Sequence, residues 1–531
     1  LDGPDYLRGT MAVGFYDPKL ADKDLDTMAK LGINMAAIHL QGDTHREKTY
    51  NNLLDFFTRC RRRNIYVMGY IRSADPKFLN EGILREVVGD SGLTLFPTLF
   101  AIDTSWEPGN YWFRDKNREW FDRQWRTWVA DRYGSEKNAM ADWAFEPRRD
   151  KDGKLVSPSN DQLVHDGDWR VYVAAYRRFM DDETSAMWNK SASLVRRIAP
   201  YQLVSFRQGN TLPQDFALTG PVAHLDFICP EAYTINHSED GYDAAGFITR
   251  LINHTGNGKP IVWMEFGKAI WNMETMKTDF SRLDEVADYH KMIYEMVLET
   301  GANGTAPWWW PGGYRVNEGS DCGITNADAS PRPAALMLKH YAPLLKKPRT
   351  RPVGDILFEY DRDAHAGGYC WLAFNAGKDA YRAARKAGKQ LRFKTLATGT
   401  TSATVPLIAV GNVPCTGTNP PKYLNAEING IQVKDANGQW KSLDDQIILP
   451  EGTAPIEIRL DLLNLGEATW IAPKNLTSPA SGDVVVLSNG EVAGGIEANA
   501  PRFGKVMTKP IVLKTEIGKP QVFSLKLAAY D

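Results

Sequence analysis

LTLFPTLFAIDTSWEP, Leu93 to Pro108, is the stretch on which the strand count of this 531-residue chain depends. Its apolar and aromatic run fits a buried strand, while its position amid turn residues fits a connection. Three strand-like runs precede it: GTMAVGFYD (9–17), INMAAIHLQ (33–41) and IYVMGYIR (65–72). The first two lead into amphipathic helices, LADKDLDTMAKLG with Leu25, Met28 and Ala29 on one face, and NNLLDFFTRCRRR. Here residues 93–108 are assigned to a long loop after the third strand.

On that assignment the fourth strand is AMADWAFEP (139–147), reached through a helix carrying Phe121, Trp125, Trp128 and Val129 at the spacing of one buried face. A very long helix from Asp168 to about Ile198 follows, then YQLVSFRQG (201–209), LDFICPEAY (225–233) and PIVWMEFG (260–267). A helix with Val286, Tyr289, Ile293 and Met296 inward leads to GTAPWWWPGG (304–313). Eight strands alternating with helices predict a (β/α)8 TIM barrel over residues 1–345. A doubly wound sheet fits less well, because no Gly-rich phosphate loop follows the first strand.

Past residue 351 the pattern changes. APIEIRLDLLNLG (454–466) sets Ile456, Ile458, Leu460 and Leu462 on one face and Glu457, Arg459 and Asp461 on the other, the period of a half-buried antiparallel strand. With GDVVVLSNG, PIVLKT and QVFSLKLAAY it predicts a β-sandwich-type domain over 351–531, interrupted by a short helical insertion around 377–389.

Composition bounds the chemistry. A net charge of −2 gives no footprint for nucleic acid or an anionic membrane, and the basic run RCRRRN (59–64) reads as a solvated helix end. No apolar stretch approaches the ~18 residues that span a bilayer. The five cysteines are scattered, without C-x-x-C or histidines at zinc spacing, so neither a structural metal nor a cofactor is expected. Sixteen tryptophans offer flat apolar faces suited to sugar rings as well as to a core. The start LDGPDY, without Met, is read as an exported protein that has lost a signal peptide.

Carboxylates stand where apolar strands end. Glu265 closes PIVWMEFG and Glu146 closes AMADWAFEP, and a barrel carries its active site at those C-terminal ends. The sequence here resembles the clan A glycoside hydrolases, β-galactosidase-like or cellulase-like: F-E-P at Phe145–Pro147 and E-F-G at Glu265–Gly267 match the motifs that end strands four and seven. The resemblance covers roughly the first 340 residues. It implies a retaining double displacement with Glu146 as acid/base and Glu265 as nucleophile. It also implies an Asn before the acid/base, reading the sugar 2-hydroxyl, where this chain has Phe145.

Further residues at strand ends are expected to line a carbohydrate pocket: Asp17, His39, Asp103, Trp106, Glu107, Arg207, Glu231 and Tyr233, with Trp308 and Trp310 after the last strand and Arg315, Glu318 and Asp321 on the Gly-rich loop beyond. So many polar groups converging suggest an exo-acting enzyme on a terminal sugar. The alternatives are an endo-acting glycanase and a carbohydrate-binding protein without turnover, for which the unusual Phe145 is the best support.

Overall fold

The computed structural model describes the chain apart from residues 1–15, 41–45, 109–114, 160–161, 164–166, 209–219, 234, 316–317, 361, 363–367, 396–425, 444–454, 465–469, 481, 501–503, 516–520 and 531. The first expected strand, GTMAVGFYD, lies mostly outside the described residues.

Helix α1 (Pro18–Lys30) leads to β1 (Met35–His39), and α2 (Arg46–Arg62) to β2 (Tyr66–Tyr70). Next in the sheet is β3 (Leu99–Trp106), in parallel register with β2 at Met68–Ala101 and with β4 (Leu203–Arg207) at Ala101–Leu203. Parallel bridges carry the ladder from Arg207 to Cys229 and from Ile228 to Ile261, reaching β5 (Val262–Met264), which pairs with β6 (Gly304–Ala306). The strands thus lie side by side in chain order.

Alternation divides their side chains between two buried faces. Ala37, Met68, Ala101, Phe227, Cys229, Met264 and Ala306 form a small cluster on one face. Ile38, Val67, Ile102, Val204, Ile228 and Trp263 join the main core on the other, with the helices. Burial on both faces explains why these strands read as continuous apolar runs.

The structure corrects the reading of strand four. Leu93 to Pro108 contains β3 itself, while AMADWAFEP is no strand. After α3 (Asp115–Tyr133), Ser135 caps α4 (Glu136–Trp143) by accepting from the Asn138 N–H at 3.1 Å. Lys, Ala and Met are good helix formers, and the helix ends at Ala144 in a left-handed turn, φ 50°. The long helix is α5 (Arg170–Ile198).

Helices α6 (Glu239–Thr255), α7 (Leu283–Thr300) and α8 (Pro333–Leu345) complete the alternation. The main core continues past residue 351. Beyond it β7 (Ile356–Tyr360) pairs in parallel with β8 (Leu391–Thr395), the two joined through α9 (Lys378–Lys386), and all three pack on α6. Phe358 and Phe393 each lie 5.3 Å from the Phe247 ring. Arg382 and Arg385 bind the fully buried Asp243 at 2.6 and 2.9 Å. Gly246 is needed there, since a Cβ would sit 2.3 Å from the Tyr381 ring.

Two antiparallel sheets follow. In the first, β9 (Ala426–Lys434) lies between β10 (Trp440–Ser442) and β11 (Ile456–Asn464), which also pairs with β14 (Lys505–Met507) and β15 (Ile511–Leu513). In the second, β12 (Val484–Ser488) lies between β13 (Glu491–Gly495) and β16 (Leu525–Ala529). Ile458, Leu460 and Leu462 share one core with Val484 and Val486, the alternation expected of β11. Among the described residues no helix is long and apolar enough to cross a membrane.

Candidate active site

The face that carries the small cluster ends in polar and aromatic groups. His39 stands two residues beyond Ala37, Tyr70 two beyond Met68, Asp103 two beyond Ala101, Arg207 two beyond Ser205 and Glu231 two beyond Cys229. Period-two alternation therefore aims all five at the C-terminal end of the sheet.

Arg207 is the hub. Fully buried, it donates from Nε to Asp103 Oδ2 at 2.8 Å and from Nη1 to Glu265 Oε1, and its guanidinium carbon lies 3.8 Å over the Trp106 ring. Asp103 is as buried as its partner. The shared arginine offsets the desolvation of both carboxylates and fixes the orientation of Glu265. The Tyr233 hydroxyl adds a longer bond, 3.4 Å, to Glu265 Oε2.

Two departures from regular strand geometry bring further carboxylates in. Between Asp103 and Trp106 the pairing with β4 shifts, so that three steps along β3 match two along β4. Such a bulge redirects the side chains after it. Glu107 follows it at φ 46°, with its N–H held by the Arg207 carbonyl at 3.1 Å. Glu265 comes directly after Met264, whose side chain already faces the inner cluster, so plain alternation would turn it away; φ is 52° there, and the left-handed turn brings it back. A non-glycine residue so placed costs of order 1–3 kcal/mol and persists only where its surroundings enforce it, a pattern concentrated at functional sites.

One oxygen each from Glu107, Glu231 and Glu265 lie within 4.8 Å of one another. Glu231 is buried and faces the Glu107 carboxyl. Burial foremost, then the charges of Glu265 and Glu107, push its pKa well above the usual carboxyl range, with Arg207 opposing. Among the described residues this trio is also the only grouping suited to a metal ion, but Arg207 already occupies Glu265 and would repel a cation.

Aromatic rings wall the acids. Trp106 lies 4.7 Å from His39, 5.4 Å from Tyr70 and 5.7 Å from Trp308. Trp308 and Trp309 cluster with Cys322, Trp106 and Tyr233. Arg315 stacks on both tryptophans, 4.6 and 3.8 Å from their rings, and pairs with Glu318 at 2.7 Å; Glu318 also accepts from Trp308 Nε1 at 3.4 Å. Gly267 of the E-F-G run has a steric role, for a Cβ there would meet the Trp308 carbonyl oxygen at 2.2 Å.

Of the residues expected from sequence, His39, Asp103, Trp106, Glu107, Arg207, Glu231, Tyr233, Glu265, Trp308, Arg315 and Glu318 thus come together. Four do not. Glu146 is exposed on the segment after α4, following a helix and not a strand, and Phe145 packs beside Tyr172 at 5.6 Å. Asp17 is the exposed N-cap of α1, accepting from the Lys19 N–H at 2.8 Å. Trp310 faces the main core. Asp321 is buried in a two-pronged pair with Arg332, at 2.8 and 3.0 Å, and accepts from Thr278 at 2.7 Å, which fixes the loop and leaves no edge for a sugar. Trp309 joins Trp308 in the pocket, and Tyr70 belongs to the site although sequence reasoning passed over it; the parity of β2 would have found it.

No family model and no curated protein sequence matches the chain. Solved structures do. The cold-adapted β-galactosidase from Rahnella sp. R3 is 12% identical, with 96% of this chain and 98% of that one covered and a TM-score of 0.55. The β-galactosidase from the Antarctic haloarchaeon Halorubrum lacusprofundi is 12% identical over 94% and 97%, TM-score 0.53, and that from the psychrophilic Marinomonas ef1 is 11% identical over 94% and 98%, TM-score 0.51. At such identities the likeness is one of fold, and it extends over nearly the whole chain.

Proposed function

We propose that this chain is a retaining glycoside hydrolase that removes a terminal sugar, with Glu265 as nucleophile and Glu107 as acid/base, built on a closed (β/α)8 barrel followed by a β-sandwich-type domain. The observation that carries the reading is the approach of the Glu107 and Glu265 oxygens to within 4.8 Å. Retaining enzymes hold their two carboxyl groups about 5–5.5 Å apart, whereas inverting enzymes need about 6.5–9.5 Å to admit a water.

The acid/base is thereby moved from Glu146 to Glu107, and the motif from F-E-P to W-E-P at Trp106–Pro108. The residue before the acid is then Trp106, whose indole N–H can donate a hydrogen bond where a phenyl ring cannot. Glu265 attacks the anomeric carbon as Glu107 protonates the departing oxygen. Glu107 then takes a proton from the water that cleaves the covalent sugar ester. Arg207 holds the nucleophile aimed. The aromatic wall suits the apolar face of a pyranose, and the burial of Asp103, Arg207, Glu231 and Glu265 favours a closed exo-type pocket over an open cleft.

A panel of aryl glycosides tests this in one experiment. One member, a β-galactoside or a relative of it, is expected to release its aryl alcohol, and NMR of the first-formed sugar should find the anomeric configuration of the substrate. Product of the opposite anomer would rule out the double displacement.

A further inference from the structure

Glu231 is a buried carboxyl in the pocket that the double displacement leaves without a task. It enters between β4 and β5 and is 1% exposed. The charged groups facing it are Glu107 from the end of β3, Arg207 from the end of β4 and Glu265 after β5. The guanidinium is already engaged by Asp103 and Glu265. An ionised Glu231 would therefore stand among anions and out of water, which is far costlier than keeping its proton. A protonated carboxyl in turn seeks an acceptor, and an oxygen of Glu107 lies within 4.8 Å.

We propose that Glu231 is the proton store of this site: it shares one proton with Glu107 and delivers it when the leaving group departs. The inference rests on the reading of Glu107 as acid/base, and it makes Glu231 a positioning residue, acting through Glu107. In the first step the proton passes from Glu231 to Glu107 and on to the glycosidic oxygen. The bond from that oxygen to the anomeric carbon breaks as Glu265 bonds to the same carbon. Glu231 is left ionised at the moment Glu265 loses its charge in the ester, so the number of anions facing Arg207 is unchanged. In the second step water bonds to the anomeric carbon, the ester bond to Glu265 breaks, and the water proton returns through Glu107 to Glu231.

The isosteric variant Glu231→Gln cannot release a proton. Two substrates are compared, one with a sugar leaving group and one with dinitrophenol, whose low pKa makes protonation nearly dispensable. In the variant, kcat/KM for the sugar leaving group is expected to fall at least about tenfold further than for dinitrophenol. The basic limb of its pH profile should move down by about one pH unit or more, since Glu107 must then draw its proton from solvent. Equal losses on both substrates with an unmoved limb would mean a packing role and overturn the proposal. A second readout needs no turnover: the infrared band of a protonated carboxyl should be present in the wild-type protein at neutral pH and absent from Glu231→Gln. Its absence from the wild type would also overturn the proposal. If no glycoside is cleaved but the band is found, the hydrolase reading fails and the protonation stands; if cleavage proceeds with an unmoved limb, the store alone fails. Stoichiometric binding of Ca2+ or Mg2+ by calorimetry, lost in Glu231→Gln, would replace the proton with a metal.

Discussion

Glu265→Gln is expected to abolish turnover while leaving the fold and sugar binding largely intact. The amide matches the carboxylate in volume. Its oxygen can still accept from Arg207, and its NH2 can face the Tyr233 hydroxyl, which accepts as well as donates. What disappears is the charge that forms the bond to the anomeric carbon. A loss of about 10^4 or more in kcat, some 5 kcal/mol of transition-state stabilisation, is the order expected when a covalent partner is removed. Circular dichroism and sugar binding by calorimetry establish that the protein is folded. Turnover within tenfold of wild type would remove Glu265 from the chemistry.

The second large effect separates Glu107 from Glu146. Glu107→Ala is expected to lose about 10^2 to 10^4 in rate on substrates with sugar or alkyl leaving groups, the usual contribution of a general acid. With a dinitrophenyl glycoside the variant should still form the covalent intermediate and then stall, because water lacks its base. Azide needs none, and should restore turnover by giving a glycosyl azide of retained configuration. Glu146→Ala should match wild type with every leaving group, since an exposed substitution away from the site ordinarily changes stability by no more than about 0.5 kcal/mol. If the leaving-group signature appeared in Glu146→Ala instead, the site built around β3 would be wrong.

Both experiments turn on a point where sequence was ambiguous for a definable reason. Phe145–Pro147 and Trp106–Pro108 are each aromatic, Glu, Pro, and nothing within the tripeptides separates them. The difference lies in what precedes them: FAIDTSW pairs with β2 and β4, partners about thirty and a hundred residues away, whereas SEKNAMADW satisfies its own backbone in a capped helix. Local signals for that helix were present in the Ser cap and the Ala and Met content. The alternation of strands and helices, the nucleophile candidate and most pocket residues were legible, because parity along a strand is a local property. The bulge that turns Glu107 inward and the left-handed turn at Glu265 were not, since tertiary pairing imposes them on residues with no preference for either. Asp17 and Asp321 were legible as charges at turns, but whether such a charge caps a helix, ties a loop or meets a substrate depends on neighbours distant in the chain.

The seat of β7, α9 and β8 on α6 bears on how this polypeptide can be trimmed. Ending it at residue 345, where the composition changes, would strip Phe358, Tyr381 and Phe393 from α6 and open the slot beside Gly246. It would also strand the buried carboxylate of Asp243 without Arg382 and Arg385. The apolar face of α6 laid open to water would cost several kcal/mol, a large part of the stability of an ordinary domain. Inactivity of such a fragment would report a torn hydrophobic face and say nothing of whether the C-terminal sheets bind sugar; a cut meant to ask that question belongs beyond Thr395.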